Sequence, residues 1–324
     1  MENDLRLSVI IPTHETRELT LRCLAALWLC NPRPHEVIVV DNGSADDTAH
    51  SVRQKYPMHI VVQLPENEGF SAAVNRGVAT ASGDLLLVLN SDTEIEAPAL
   101  GAIYQAFARN PQLGIVGAAL RHFDRTPQWS GGRKPSFLWY FGVASGIPAL
   151  LGRLRAWRRF RPPSGSKGGT VDWVAGTAMV IRRQVWEQAG PFDLGYRFYC
   201  QDIDFCVGAV DAGWGVEILP DFKVRHHQGG TISNKGGAVD QIHPEFLWTD
   251  LLRFAGKCCG PAAARNAFLA LRLGGGLRLL GRRLVSPIVP TDRKAQWRKT
   301  NSAYLTALRA LDRTGRREDL LRGQ

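Results

Sequence analysis

The sequence predicts an α/β fold in which a mainly parallel sheet is covered on both faces by helices. Short apolar runs recur through the first 120 residues, and a segment with helical spacing follows each run. Continuously apolar strands are typical of parallel sheets that are buried on both faces. The strand and helix pairs are, in chain order, 7–12 with 18–30, 36–41 with 46–56, 59–64 with 69–81, and 84–90 with 98–110.

The first pair begins with Leu7–Pro12, and its apolar run from Leu7 to Ile11 is too short for export or for spanning a membrane. The residues before this run include acids where an export signal needs basic ones. In the second pair, Asp46 and Asp47 are suited to cap the helix, so capping accounts for them without a role in a site. The fourth strand contains the very apolar run Leu85–Leu89, as expected of a fully buried strand.

Polar residues follow three of these strands. Parallel strands end at a common edge of the sheet, and ligands of open α/β sheets bind there. The clustering therefore predicts a ligand crevice. Its members are Thr13, His14 and Glu15 after the first strand, Asp41, Asn42 and Ser44 after the second, and Asn90 and Asp92 after the fourth.

The regular pattern stops at residues 121–170, an aromatic and basic stretch interrupted by glycine and proline. Connections of this length are typical of functional lids or of disorder. A lid is favoured by the aromatic residues Phe137, Trp139, Tyr140, Phe141 and Trp157. A strand is then predicted over Val171–Arg182 and a helix over Asp202–Ala212. After Asn234 the chain reads as a helical, arginine-rich appendage. Its segment Pro261–Val285 mixes Leu with Arg as interfacial helices do, and we expect a break at residues 274–276, which are all glycine.

The net charge of +10 is unevenly distributed, because residues 121–170 and 236–324 each carry +9. Two basic surfaces suit anionic lipids, pyrophosphate-bearing substrates or nucleic acid. Nucleic acid is disfavoured, since no reading module is recognised and the basic tail has few aromatic residues. A solvated tail is the alternative for the second block.

Several classes of protein are excluded by missing patterns. The six cysteines form no CxxC pair, which favours reduced thiols in a cytoplasmic protein. No uncharged apolar stretch reaches about 18 residues, so a membrane-spanning helix is not expected. The dinucleotide motif GxGxxG, the P-loop and the hydrolase motif GxSxG are absent.

Three polar motifs could carry chemistry, and each has a structural alternative. Asp92 could hold Mg²⁺ or Mn²⁺ against two phosphates, or it could belong to an ordinary loop turn. Asp202 and Asp204 could cap a helix or supply a general base. His226 and His227 are more often structural in such a place, but an imidazole together with Asp92 and a pyrophosphate would form a divalent-metal shell.

With these motifs, the sequence resembles inverting family 2 glycosyltransferases of the GT-A fold, within them the rhamnosyltransferase-like branch. Seven short segments between residues 8 and 231 carry the resemblance, and their order makes it specific. They are SVIIPT (8–13), VVDNGS (39–44), NEGFSAAVNRG (67–77), LNSD (89–92), WVAGT (173–177), QDID (201–204) and HHQGG (226–230).

The resemblance implies a GT-A domain over residues 1–235 and a basic helical C-terminal extension over 236–324. Within the domain, 1–120 would be the nucleotide-binding half, 121–170 a basic and aromatic lid, and 171–235 the acceptor and catalytic half.

The resemblance also implies roles for individual residues. The donor-binding residues would be Thr13, Glu15, Asp41, Asn42, Asn67, Gly69, Asn75, Asn90, Ser91 and Asp92. The acceptor-side residues would be Trp173, Gly176, Gln201 and Asp204. Asp92, helped by His226, would coordinate the divalent metal, Mg²⁺ or Mn²⁺, and Asp202 would deprotonate the acceptor hydroxyl.

The implied reaction transfers a sugar, with rhamnose from dTDP-rhamnose as the expected donor, onto a lipid-linked saccharide in cell-envelope polysaccharide synthesis. The protein would work in the cytoplasm at the inner face of the plasma membrane, bound peripherally to its anionic surface, and a homo-oligomer is left open. Two departures from the family pattern stand out. Gln201 replaces the Glu of a Glu-Asp pair, so a catalytically weakened sugar-nucleotide-binding protein is an alternative. Asn90 replaces Asp, which the rhamnosyltransferase-like branch also shows. The same fold acting on another UDP- or GDP-sugar is a further alternative.

Overall fold

The structure is a computed structural model, and it describes residues 5–147, 168–227 and 243–316. The predicted boundary between residues 235 and 236 lies outside these ranges, and the predicted lid is described only in part. No helix in the described ranges is both long and apolar enough to cross a membrane.

The chain divides into two compact units, each formed by separate stretches of sequence. Unit 1 takes the described residues of 1–133, 162–195 and 201–241. Unit 2 takes the described residues of 134–161, 196–200 and 242–324.

Unit 1 is built on a nine-stranded sheet with the order β3-β2-β1-β4-β10-β6-β11-β5, and β8 pairs with β11. Strands β1 to β4 are parallel, whereas β10 runs antiparallel between β4 and β6. The strands are β1 (Leu7–Thr13), β2 (Glu36–Asn42), β3 (Ile60–Leu64), β4 (Leu85–Leu89), β5 (Thr93–Ile95), β6 (Leu113–Arg121), β7 (Gly131–Gly132), β8 (Gly169–Thr170), β9 (Trp173–Val174), β10 (Ala178–Arg182) and β11 (Gly215–His226).

Helices pack on the sheet and also form unit 2. They are α1 (Arg17–Trp28), α2 (Thr48–Lys55), α3 (Phe70–Thr80), α4 (Ala99–Arg109), α5 (Phe137–Ser145), α6 (Arg183–Ala189), α7 (Gln201–Asp211), α8 (Pro244–Val285) and α9 (Lys294–Arg316). Strands β1 and β4 are buried along their whole length, as expected of apolar strands at the centre of a covered sheet. The predicted fold, a mainly parallel sheet with flanking helices and a helical C-terminal extension, is confirmed, and all four predicted strand and helix pairs are present.

The turn after β2 shows why a glycine follows the strand-end residues Asp41 and Asn42. Gly43 adopts φ +72, and a Cβ at this position would lie 2.5 Å from the backbone carbon of Glu66. Both the left-handed conformation and this close approach require glycine. The turn thus brings the end of β2 against the loop that precedes α3.

One prediction over the middle of the chain was wrong, and several elements there were not predicted. The single strand predicted over Val171–Arg182 is two strands, β9 and β10, because β9 pairs with β7 in a separate small sheet. Strand β6 was not predicted, since small residues weaken its apolar pattern. One of them, Gly117, is required because a Cβ there would lie 2.5 Å from the side chain of Val174. Helix α5 was also unexpected within the predicted lid.

Helix α8 does not break at residues 274–276, contrary to the prediction. Its non-helical residue is Gly260, with φ 80 and ψ 179, directly before Pro261. Gly274 and Gly275 instead allow close packing. A Cβ on Gly274 would lie 2.6 Å from the carbonyl oxygen of Phe141 in α5, and one on Gly275 would lie 2.6 Å from the ring of Trp248.

A buried carboxylate organises the short segment of unit 2 that precedes α7. Asp250 of α8 is 3% exposed. Its carboxylate accepts hydrogen bonds from the backbone N–H groups of Arg197, Phe198 and Tyr199, at 3.3, 3.0 and 2.9 Å. Burial raises the pKa of Asp250, although these three donors act in the opposite direction.

Candidate active site

The turn from β4 to β5 places Asn90, Ser91 and Asp92 at the C-terminal edge of the sheet. Ser91 and Asp92 are 2% and 3% exposed, and the Ser91 hydroxyl lies 3.0 Å from the hydroxyl of Thr16. The backbone N–H of Asn90 donates to the carbonyl of Thr177 at 2.9 Å. These bonds fix the turn, so the Asp92 carboxylate is held by backbone geometry and does not depend on a flexible loop.

The end of β11 brings His226 to the same place. The His226 Nε2 atom lies 3.5 Å from Oδ1 of Asp92, because β11 pairs with β5 in a register that sets His226 opposite Thr93. The two predicted metal ligands, far apart in sequence, are therefore neighbours in the structure.

Gln128 fixes which nitrogen of His226 faces Asp92. The Gln128 Nε2 atom lies 2.9 Å from the carbonyl oxygen of His226, and a carbonyl can only accept, so this atom is the amide N–H donor. The Gln128 Oε1 atom, 2.9 Å from His226 Nδ1, must then accept, which places a proton on Nδ1. In the neutral imidazole, the Nε2 lone pair consequently points at the Asp92 carboxylate.

This arrangement fits a divalent cation. Two acceptors that face each other at 3.5 Å need a positive charge between them, and either a proton or a metal ion supplies it. A carboxylate oxygen and an imidazole nitrogen are a suitable pair of donors for Mn²⁺, and a hydrogen bond to the other ring nitrogen is the usual support of a metal-binding histidine. Within the described ranges, no group of three or more His, Cys, Asp or Glu side chains could hold a metal by itself.

Several buried polar atoms around this edge have no hydrogen-bond partner in the described part of the chain. Among the described residues, no hydrogen-bond partner is found for the buried atoms Nδ1 of His14, Oδ2 of Asp41, Oδ1 of Asn90 and Nε2 of His227. Burial lowers the pKa of His227, and its ring stacks on Phe123 with centroids 3.6 Å apart. Buried polar atoms are normally satisfied, so their concentration here favours a polar ligand.

Asn42 holds the loop in front of α3. Its Oδ1 accepts from the backbone N–H of Glu68 at 2.9 Å, and its Nδ2 donates to Oδ1 of Asn67 and to the carbonyl of Gly69 at 2.9 and 3.2 Å. These bonds give Asn42 a positioning role for the predicted diphosphate loop. In Asp41, its neighbour in β2, Oδ1 accepts from the Ser44 N–H at 3.1 Å, and the buried Oδ2 has no hydrogen-bond partner among the described residues.

The remaining predicted donor residues are tied into the protein as well. Thr13 shares hydrogen bonds with the hydroxyls of Thr16 and Thr20, and Oε1 of Glu15 accepts from the N–H of Ala45 at 2.7 Å. Asn75 makes a two-point contact with the backbone of Phe192, its Nδ2 donating at 2.9 Å and its Oδ1 accepting at 3.0 Å. Their roles toward a donor stay predictions.

Asp202 lies in the first turn of α7, held by two backbone donors. Its Oδ2 accepts from the N–H of Gly176 at 2.8 Å and its Oδ1 from the N–H of Ile203 at 2.9 Å. A Cβ on Gly176 would lie 3.3 Å from Cβ of Asp202, so glycine permits this close approach. Burial raises the pKa of Asp202, which makes its carboxylate a stronger base than an exposed one.

The other acceptor-side residues are buried. Trp173 is 4% exposed, and Gln201 and Asp204 are each 9% exposed. The Trp173 indole N–H donates to the carbonyl of Arg133 at 3.0 Å. Trp129 packs edge-on against Trp173 with centroids 5.1 Å apart and is 44% exposed, so it is the member of this aromatic pair that a ligand could reach.

Two residues of this region, Gln128 and Trp129, were missed by sequence reasoning. Both follow β6 in a stretch without regular spacing, and neither belongs to a recognised motif. The one available signal was the aromatic character of the stretch, which identified other residues within 121–170.

The chain is similar to several known proteins and solved structures. The chain is 29% identical over 240 residues to N-acetylglucosaminyl-diphospho-decaprenol L-rhamnosyltransferase of Mycobacterium tuberculosis, covering 68% of this chain and 76% of the relative. It is 27% identical over 236 residues to the O-antigen biosynthesis protein RfbC of Myxococcus xanthus, covering 70% of this chain and 18% of RfbC.

The fold is similar to that of the mannosyltransferase PcManGT from Pyrobaculum calidifontis, solved in complex with GDP-Man and Mn²⁺. The TM-score is 0.55 at 17% identity, covering 99% of this chain and 88% of PcManGT. Staphylococcus aureus TarS in complex with UDP gives a TM-score of 0.54 at 16% identity, covering 96% of this chain and 83% of that structure.

The family assignment comes from a match across more than half of the chain. Residues 8–189 match the family model Glycosyl transferase family 2. The matched range contains β1 to β4, the Asn90 to Asp92 turn and Gly176. The chain belongs to glycosyl transferase family 2 and is a glycosyltransferase with a GT-A fold.

Proposed function

We propose that this glycosyltransferase moves a sugar, with rhamnose from dTDP-rhamnose as the expected donor, onto a lipid-linked saccharide in cell-envelope polysaccharide synthesis, with inversion at the anomeric carbon. The observation that carries the proposal is the Asp202 carboxylate, held by the N–H groups of Gly176 and Ile203 in a buried setting that raises its pKa. The similarity to an N-acetylglucosaminyl-diphospho-decaprenol L-rhamnosyltransferase supports the class of acceptor and of sugar.

Asp202 would act as the general base. Its carboxylate takes the proton of the acceptor hydroxyl while the hydroxyl oxygen forms a bond to the anomeric carbon of the donor sugar. The bond from that carbon to the diphosphate oxygen breaks on the opposite face, and the nucleoside diphosphate leaves with the electron pair. Because attack and departure occur on opposite faces, the anomeric configuration inverts.

The edge of the sheet would bind the donor. Asp92 and His226 would hold Mg²⁺ or Mn²⁺, with Gln128 keeping the His226 lone pair directed at the site. When bound, the ion stabilises the negative charge that develops on the leaving diphosphate. The Oδ2 atom of Asp41 has no hydrogen-bond partner among the described residues, so it is suited to accept a hydrogen bond from the ribose or the nucleobase of the sugar nucleotide. Asn42 keeps the 67–69 loop in place around the diphosphate.

Two alternatives rest on specific observations. Similar folds have been solved with GDP-Man and with UDP, so the same site could use a UDP- or GDP-sugar. Gln201 is buried beside Asp202 at the position where the resemblance places a Glu, which favours a weakened, sugar-nucleotide-binding protein. The first alternative changes the donor only, whereas the second removes turnover.

Peripheral attachment to the inner face of the plasma membrane is part of the proposal. The block 236–324 carries +9, and each Lys or Arg near an anionic membrane surface contributes about 1 kcal/mol of attraction. A lipid-linked acceptor would be reached from this surface. Association that is weakened by salt is the expected behaviour.

The test is nucleoside diphosphate release from a panel of dTDP-, UDP- and GDP-sugars, with Mn²⁺ and a lipid-linked N-acetylglucosamine acceptor. We expect release from dTDP-rhamnose by the wild type and a loss of about 100-fold or more for Asp202→Asn. Asp211→Asn is the matched control, because Asp211 is an exposed carboxylate at the far end of the same helix. Equal turnover by Asp202→Asn would remove Asp202 from the role of base.

The panel and one further variant separate the alternatives. If only a UDP- or GDP-sugar releases its nucleoside diphosphate, the enzyme uses that sugar as its donor and not dTDP-rhamnose. If no donor reacts, donor binding measured by calorimetry and turnover of Gln201→Glu are compared. A large gain in turnover for Gln201→Glu supports the hypothesis of a catalytically weakened, sugar-nucleotide-binding protein, and absence of a gain contradicts it.

A further inference from the structure

Helix α8 exposes a stripe of large apolar side chains after its kink at Gly260. The stripe runs through the exposed side chains Leu269, Leu273, Leu277, Leu280 and Leu284, which are 48%, 52%, 44%, 55% and 72% exposed, and it continues at Ile288, which is 79% exposed. Successive members are three or four residues apart, so they lie on one face of the helix. From Leu269 to Leu284 this leucine stripe is about 22 Å long at the usual helical rise.

The opposite face of the same helix segment is the one that packs inside unit 2. Its buried residues are Ala264, Ala267, Ala270, Leu271, Gly274 and Gly275. Most of them are small, and Gly274 and Gly275 are held against α5 and against Trp248. A surface helix normally buries its large apolar residues and exposes polar ones. Helix α8 packs through small residues and exposes its leucines, so its own fold leaves the leucine stripe without a covering layer among the described residues.

Arginines border the leucine stripe along one edge. Arg265, Arg272 and Arg283 are exposed, and the helical repeat sets all three on the same side of the leucines. Arg272 pairs with Asp312 of α9 at 3.3 Å. Between Leu251 and Pro290 the sequence has seven Lys or Arg residues and no Asp or Glu. The segment that carries the stripe is therefore positively charged and contains no acidic residue.

We infer that the leucine stripe is the face by which this glycosyltransferase enters the headgroup and upper acyl region of an anionic lipid bilayer, with α8 lying parallel to the membrane. The inference deepens the peripheral membrane association proposed above and rests on it. Large apolar residues on one face with arginines at the border are the pattern of interfacial helices, whose apolar face sinks into the bilayer while the cations meet anionic headgroups. Exposed apolar patches of this kind mark interaction surfaces.

The charge of the segment favours lipid over a second copy of the chain. Paired leucine helices are usually stabilised by opposite charges that flank the apolar seam. A second copy would bring its own seven cations and no acidic residue from this segment, so the arginines at the border would repel each other. An anionic bilayer satisfies the same arginines.

The test is co-sedimentation of the full chain with vesicles of phosphatidylcholine alone and of phosphatidylcholine mixed with phosphatidylglycerol. The stripe variant is Leu273→Gln with Leu280→Gln. The matched control is Leu29→Gln with Met58→Gln, two side chains of unit 1 that are 72% and 58% exposed. We expect the stripe variant to bind mixed vesicles at least about tenfold more weakly than the wild type, and the control to bind as the wild type does.

Thermal unfolding shows whether the stripe variant is folded, and turnover with a short water-soluble acceptor shows whether its active site is intact. We expect both to match the wild type. Unchanged vesicle binding by the stripe variant would show that the leucine stripe is not the membrane-binding face, while peripheral association itself would stand. If sedimentation equilibrium shows dimers for the wild type and the control variant but monomers for the stripe variant, the leucine stripe binds a second copy of the chain instead of lipid. Failure of the wild type to bind any vesicle would overturn both membrane proposals while the glycosyl transfer assay still stands by itself.

Discussion

The Gln128 Oε1 atom accepts a hydrogen bond from Nδ1 of His226 at 2.9 Å, across 98 positions of sequence. The same amide donates to the carbonyl of His226 and faces Nδ1 of His122, both at 2.9 Å. A single glutamine thus sets the orientation and the tautomer of the histidine that faces Asp92.

We predict that Gln128→Leu weakens Mn²⁺ binding by about 10- to 100-fold, the usual effect of removing the partner of a metal-binding histidine. Electron paramagnetic resonance of free Mn²⁺ in the presence of nucleoside diphosphate measures the change independently of turnover. Gln128→Glu is the informative comparison, since its carboxylate can still accept from Nδ1 but can no longer donate to the His226 carbonyl. It should retain more affinity than Gln128→Leu. Tight Mn²⁺ binding by Gln128→Leu would contradict this role.

The raised pKa of Asp202 predicts the pH dependence of activity. The base must be ionised, so turnover should fall as the pH falls through the pKa of Asp202, at a pH above the usual carboxyl range. The acidic limb of the turnover profile with saturating donor reports this pKa. An acidic limb at the usual pKa of an exposed carboxyl would contradict the effect of burial.

The raised pKa of Asp202 also predicts how the stability of the protein depends on pH. A carboxyl whose pKa is higher in the folded than in the unfolded protein favours the folded state at low pH, and this contribution is lost as the pH rises through the folded-state pKa. Asp202→Asn should therefore raise the unfolding midpoint at neutral pH, and the difference from the wild type should shrink in acid. Thermal melts across the acidic range measure it, and a midpoint lowered at neutral pH would be the opposite result.

Gly176→Ala should lower turnover by about three- to tenfold, because small displacements of a catalytic group are costly. The new Cβ would come within 3.3 Å of Cβ of Asp202 and move the carboxylate by a few tenths of an ångström. Gly208→Ala is the matched control, since a Cβ on this glycine of α7 meets nothing within 4 Å, and Ala is favoured over Gly inside a helix. Steady-state kinetics should separate the two variants, with KM for the donor little changed in both.

Asn42→Ala should raise KM for the donor by about tenfold with a smaller effect on kcat, because it frees the 67–69 loop from three hydrogen bonds. Each such bond contributes about 1 kcal/mol, so the free energy of unfolding should also fall by about 1 to 3 kcal/mol. Donor titration and denaturant unfolding measure the two effects. A variant that loses stability but keeps its KM would show that the loop has no part in donor binding.

The sequence predicted the elements whose apolar pattern is regular. β1 to β4 and their helices follow local spacing, and the strand-end motifs identified a common edge of the sheet. β6 was not predicted because its small residues weaken the apolar pattern. One of them, Gly117, must be small because the side chain of Val174 packs against it, and the local sequence does not show this contact. The glycines at 274–276 were misinterpreted for the same reason, since Gly274 packs against α5 and Gly275 against Trp248.

Sequence motifs led to the residues of the candidate site, whose roles stay predictions, but not to the residues that hold them in place. Asp92, His226 and Asp202 belong to short recognisable segments. Gln128 is a lone polar residue in an irregular stretch, and its importance follows from a hydrogen bond to a residue 98 positions away. Residues that position a site through such long-range hydrogen bonds can be identified only from the folded structure.

The three hydrogen bonds of Asp250 bear on how freely the C-terminal extension can be exchanged. Asp250 comes from α8, yet the backbone it holds, from Arg197 to Tyr199, lies just before Gln201 and Asp202 in the chain. A protein shortened ahead of α8 would leave three N–H groups without their acceptor, just before the helix that contains Asp202. The extension is interleaved with the rest of the chain, and it is therefore not a detachable module that recombination could swap between enzymes of this family.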